Sequence, residues 1–115
     1  MPLKIYYLDD EAALCEIFFD IVSSSRYHVE TFQDVELFLK RYENAKPDLI
    51  FLDYRLHNTT GDKVAEKLDA SIPKVLISGD LQLNTKFKFD VFLPKPFKEA
   101  QLLDLIEKLT HSSKA

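Results

Sequence analysis

The chain has 115 residues, 46% apolar and 30% charged, which bounds it to one soluble globular domain, residues 1–115. A formal net charge of −4 argues against nucleic-acid binding as the main function. The lone Cys15 excludes an internal disulfide or a thiolate metal cluster, and two glycines, Gly61 and Gly79, are too few for a glycine-rich phosphate loop.

Leu3–Leu8 is β-rich and mostly apolar and predicts a first strand, stopped by Asp9, Asp10 and Glu11. From Ala12 to Ser23, Leu14, Ile17, Phe18 and Ile21 recur at helical spacing. Acids at the start of that helix are favoured by its dipole, and Cys15, beside the stripe, is expected to be packed rather than reactive. Tyr27–Phe32 alternates and predicts a second, less buried strand. Asp34 is a good N-cap for a helix marked by Val35, Phe38, Leu39 and Tyr42 and ending near Asn44. Leu49–Leu52, four apolar residues between Asp48 and Asp53, predicts a strand buried on both faces. Tyr54–Thr60 then reads as a polar loop with Gly61 as its positive-φ residue. Val64, Ala65 and Leu68 suggest a short third helix, and Pro73–Ser78 a fourth strand. Leu81–Phe89 predicts a short or irregular fourth helix, followed by a fifth strand over at least Val91–Leu93. Leu102, Leu105, Ile106 and Leu109 make a last amphipathic helix within Lys98–Thr110, and the tail from His111 is expected to fray.

Strands alternating with helices imply a parallel sheet with helices on both faces. Right-handed crossovers put every strand's carboxyl end on one edge, where ligands gather. Asp9, Asp10, Asp53, Ser78 and Lys95 are therefore expected to converge. Three carboxylates brought together repel one another unless a cation is present, and an all-oxygen, partly solvated site suits Mg²⁺. Asp53 is the natural nucleophile: a carboxylate can take a phosphoryl group, and the Lys95 ammonium can neutralise the charge that develops on its oxygens. Ser78 can donate to those oxygens, and Gly79 leaves room beside it. Taken singly, each acid could instead cap a helix or meet water, Lys95 could be a solvated lysine and Ser78 a strand-end hydroxyl satisfied by backbone. Their joint placement favours the chemistry.

Asp9-Asp10 after the first strand, Asp53 after the third, Ser78-Gly79 after the fourth, Lys95-Pro96 after the fifth, and Gly61 beyond Asp53 give a chain that resembles the receiver domain of two-component response regulators. The resemblance covers essentially the whole length. It implies a flavodoxin-like five-stranded sheet of order 2-1-3-4-5, with Asp53 phosphorylated by a histidine kinase or a histidine phosphotransfer protein. It also implies that Asp10, Asp53 and the Arg55 carbonyl bind Mg²⁺, with Asp9 helping through water, and a cis peptide between Lys95 and Pro96. Ser78 and Phe92 occupy the family's switch positions, although Phe92 also reads as a core strand residue. Arg55 and Asp80 flank the site at positions that tune hydrolysis and are expected to pair across it.

Both intervals, Asp53 to Ser78 and Ser78 to Lys95, are shorter than in the family, with the cuts around the third and fourth helices. Leu83, Phe87 and Phe89 either form an apolar patch for a partner or fill the core left by a lost helix. The expected activity is that of a phosphoacceptor, not an enzyme acting on other substrates. The expected location is cytoplasmic, with no signal peptide, no membrane span, no output domain and no direct nucleic-acid contact; the output passes to a protein target. Two alternatives remain. One is a receiver-like interaction module working without phosphorylation. The other is a small phosphohydrolase of the haloacid-dehalogenase type, which needs an acid where Arg55 stands.

Overall fold

The computed structural model describes residues 2–79 and 89–111. In chain order the elements are β1 (Leu3–Leu8), α1 (Ala12–Val22), β2 (Tyr27–Phe32), α2 (Val35–Asn44) and β3 (Leu49–Asp53). The two-residue strands β4 (Arg55–Leu56) and β5 (Thr59–Thr60) follow, then α3 (Gly61–Ala65), β6 (Lys74–Ser78), β7 (Val91–Pro94) and α4 (Glu99–His111). Five strands form a parallel sheet in the order β2-β1-β3-β6-β7, which is the expected 2-1-3-4-5.

Side chains alternate across a pleated strand, so odd and even positions build different layers. Ile5, Tyr7, Leu49, Phe51, Val75, Ile77 and Leu93 pack against Cys15, Phe18 and Val22 of α1 and Leu102 and Ile106 of α4. Tyr6, Leu8, Ile50, Leu52 and Leu76 pack against Phe38 and Tyr42 of α2 and Val64 and Ala65 of α3. Central β3 is buried at every position because it is covered on both faces. Asp34 caps α2 as expected, its carboxylate accepting the Leu37 N–H at 3.1 Å.

Several expectations need correction. Gly61 does not have positive φ; Asn58 does, at 69°, in the β4–β5 hairpin that occupies the predicted polar loop. Asparagine tolerates that conformation better than most residues. Gly61 is required for space instead: a Cβ there would lie 2.5 Å from the Asp53 carbonyl oxygen. The buried face of α1 is Cys15, Phe18 and Val22, so Cys15 belongs to the stripe and Ile17 stands out in solvent. Phe92 is 56% exposed, which overturns its reading as core. Phe89 is buried in the α2/α3 layer and supports the core-filling alternative at that position. Asp80, Leu83, Phe87 and the rest of the predicted fourth helix up to residue 88 lie outside the described residues, as does the tail from residue 112.

Candidate functional site

The alternation that builds the α1/α4 layer also builds the site. Tyr7 pairs with Phe51 and Leu8 with Leu52. One step further, at the carboxyl ends of these neighbouring strands, stand Asp9 and Asp53, on the same face as Tyr7 and Phe51. Lys95 follows β7 on the same parity as Leu93, and its backbone N–H donates to the Ser78 carbonyl at 2.9 Å. That bond ties the lysine to the end of β6. The Lys95–Pro96 peptide is cis, as expected.

Lys95 reaches across the sheet edge. Its Nζ lies 3.0 Å from Asp53 Oδ1, 3.3 Å from Asp9 Oδ2 and 3.5 Å from Glu11 Oε1. Asp9, Asp10 and Asp53 each offer a carboxylate oxygen, all within 4.8 Å of one another. Asp9 and Asp53 are buried, at 0% and 3% exposure, while Asp10 faces solvent. Ser78 is buried at the end of β6. A Cβ at Gly79 would approach Lys95 Cβ at 4.0 Å, an ordinary contact. Arg55 is exposed at the start of β4.

Asp9 is held from three directions. Its Oδ2 accepts from the Tyr7 hydroxyl at 2.9 Å and pairs with Lys95, and its Oδ1 accepts the Glu11 N–H at 3.0 Å. The acids after β1 therefore do not simply decorate a helix start: Glu11 occupies the N-cap without a side-chain capping bond. Sequence reasoning missed Tyr7 because a tyrosine inside an apolar strand reads as packing.

Burial and the neighbouring Asp9 charge raise the Asp53 pKa to about 6, against the opposing pull of Lys95. Burial disfavours the charged form of Lys95, but its hydrogen bond to Asp53 and the Asp9 charge outweigh that and raise its pKa. Burial, then the charges of Asp9 and Asp10, push the Cys15 thiol up to about 11, so the packed cysteine is a poor nucleophile, as expected.

One ammonium thus faces several carboxylates in a pocket with little solvent. The donor set is all oxygen, it carries excess negative charge, and Asp10 is open to water. These features fit a hard cation of the Mg²⁺ kind, and among the described residues the cluster holds no thiolate or imidazole for a soft metal.

A doubly wound parallel sheet with three acids and a lysine at its carboxyl edge defines the class: a receiver-type signalling domain. The family model for the response regulator receiver domain matches residues 5–107, and the chain belongs to that family. The response regulator protein TodT of Pseudomonas putida is 32% identical over 110 residues, covering 89% of this chain and 48% of TodT. The chain spans about half the length of the curated relatives it matches. A CheY-like response regulator receiver domain protein from Methanospirillum hungatei JF-1 has a TM-score of 0.87 at 25% identity, covering 99% of this chain and 98% of that one. NtrX from Brucella abortus, crystallised with ATP, has a TM-score of 0.88 at 26% identity, covering 99% of this chain and 28% of NtrX. Among the described residues no helix is long and apolar enough to cross a membrane.

Proposed function

We propose that this receiver domain takes a phosphoryl group onto Asp53 from a phosphohistidine of a histidine kinase or a histidine phosphotransfer protein. A carboxylate oxygen of Asp53 attacks phosphorus, an O–P bond forms, and the P–N bond breaks. The imidazole nitrogen leaves with the electron pair and takes a proton from water. The chain thereby promotes its own phosphorylation and, with water as the acceptor, its own dephosphorylation. Its output passes to a protein partner in the cytoplasm.

The reading rests on one observation: Asp53 Oδ1 lies 3.0 Å from Lys95 Nζ at the sheet edge where Asp9 and Asp10 also converge. The Lys95 ammonium is placed to follow charge from the carboxylate onto the incoming phosphoryl oxygens. Asp10, Asp53 and the Arg55 carbonyl would hold Mg²⁺, with Asp9 assisting through water. When bound, the cation supplies further neutralisation of the phosphoryl oxygens. The Ser78 hydroxyl would donate to the same oxygens and Gly79 would leave them room. Phe92, exposed on edge strand β7, would move inward as Ser78 does so, turning nearly two added charges into a change of surface.

Incubation with acetyl phosphate and Mg²⁺ tests this. A stoichiometric, acid-stable and base-labile adduct that is lost in Asp53→Asn is expected. Turnover of the donor without an adduct would point to a phosphohydrolase, and no reaction to an interaction module that does not use phosphate.

A further inference from the structure

Tyr7 is fully buried in the α1/α4 layer, its ring stacked on Phe18 with centroids 4.2 Å apart and flanked by Phe51 at 6.3 Å. Phenylalanine would fill that space equally well. The hydroxyl adds nothing to the packing and must find a partner once it leaves water. Its partner is Oδ2 of Asp9, at 2.9 Å.

Of the three groups that hold Asp9, one has other work. Under the proposed function Lys95 must follow charge onto the phosphoryl oxygens, loosening its 3.3 Å contact with Asp9. The Glu11 N–H and the Tyr7 hydroxyl remain. The amide belongs to the loop that leaves β1, whereas Tyr7 projects from a central strand and packs against Phe18 and Phe51, whose rings also touch each other.

Resting on that reading of the site, we infer that Tyr7 is a positioning residue: its hydroxyl fixes the Asp9 carboxylate from the core side and so orients the water through which Asp9 would meet Mg²⁺. Hydrogen-bond partners of this kind set the direction of an outer carboxylate and of the metal-bound water it holds. Mg²⁺ demands near-ideal octahedral geometry, whereas Ca²⁺ accepts varied geometry and ligand number. Loss of the orienting bond is therefore felt more by Mg²⁺ than by Ca²⁺.

The test is calorimetric titration of the whole chain with each cation, wild type against Tyr7→Phe. Mg²⁺ affinity is expected to fall roughly tenfold, with a smaller loss for Ca²⁺, so that discrimination between them narrows. Equal losses for both cations, or none, would overturn the inference, since a role in packing alone moves both together. Wild-type protein that binds no Mg²⁺, or binds it unchanged in Asp10→Asn and Asp53→Asn, would instead overturn the reading of the site and the role of Tyr7 with it. A second measurement needs no variant. With isotope-labelled tyrosine ring carbons, the wild-type Tyr7 resonance is expected to shift along the Mg²⁺ isotherm. Tyr6, whose hydroxyl donates to the Ala45 carbonyl on the opposite face, should stay still. A stationary Tyr7 signal would also overturn the inference.

Discussion

The Nζ of Lys95 lies 3.0 Å from Oδ1 of Asp53, and the same ammonium lies 3.3 Å from Asp9. One cation at 17% side-chain exposure holds two buried carboxylates side by side. Removing it leaves both charges without that compensation. Lys95→Ala should therefore destabilise the fold by about 1–3 kcal/mol. The loss should be larger at pH 8 than at pH 5, which lies below the raised Asp53 pKa of about 6. Urea unfolding at the two pH values checks this, and equal losses at both would refute it.

Asp53 behaves in the opposite sense to a salt-bridged surface acid. Its folded pKa is raised from 3.8 to about 6 by burial and by Asp9. The folded state therefore binds the proton more tightly than the unfolded chain does. The group's stabilising contribution is present below pH 3.8 and is lost as pH rises through 6. In Mg²⁺-free buffer, Asp53→Asn should be more stable than wild type at pH 7.5, by about 1–2 kcal/mol. The advantage should shrink toward pH 4. Chemical denaturation across that range measures it; an asparagine variant less stable than wild type at pH 7.5 would contradict this balance of burial and charge.

Gly61 brings the start of α3 against the end of β3. Its N–H donates to the Tyr54 carbonyl at 2.8 Å, and an added Cβ would meet the Asp53 carbonyl oxygen at 2.5 Å and Leu76 Cδ1 at 3.2 Å. The nearest obstacle is backbone, so no side chain can swing aside. Gly61→Ala should cost about 1–3 kcal/mol of stability and, by displacing the backbone of Asp53, should weaken Mg²⁺ binding too. Thermal melts and calorimetry of the variant test both effects, and a neutral substitution would mean that β3 yields more easily than its burial suggests.

Lys74 is a buried cation far from the site, at the start of β6, with 2% exposure. Its Nζ donates to the carbonyls of Asp69 at 2.6 Å and Ile72 at 2.8 Å, and burial lowers its pKa, opposed by Asp90 and Asp69. Truncation strips those carbonyls of a charged donor. Lys74→Ala should lower stability by about 2–3 kcal/mol while leaving Mg²⁺ affinity at the opposite sheet edge intact. Melts and calorimetry on one preparation separate the two effects.

The strands and their order were legible because β1, β3 and β6 announce themselves as short apolar runs closed by polar residues, and their parallel sense follows from the helices between them. The convergence of Asp9, Asp53 and Lys95 followed from topology alone. What escaped was set by distance in space. Composition marked Gly61 as special but could not say whether φ or a nearby carbonyl was the reason. Lys74 reads as an ordinary strand-start lysine until the carbonyls around its ammonium are seen. Phe92 alternates like a core residue, yet on edge strand β7 its side faces solvent. Tyr7 carries no sign in sequence that its hydroxyl reaches an acid two residues on.

The central claim is that phosphorus is loaded onto one side chain, that of Asp53. After acetyl phosphate treatment with Mg²⁺, reduction with borohydride turns an acyl phosphate into an alcohol, converting the acceptor aspartate into homoserine, which peptide mass spectrometry can locate. The account predicts homoserine in place of Asp53, with Asp9 and Asp10 unmodified. Homoserine in place of Asp9 or Asp10, or at no aspartate at all, would contradict it.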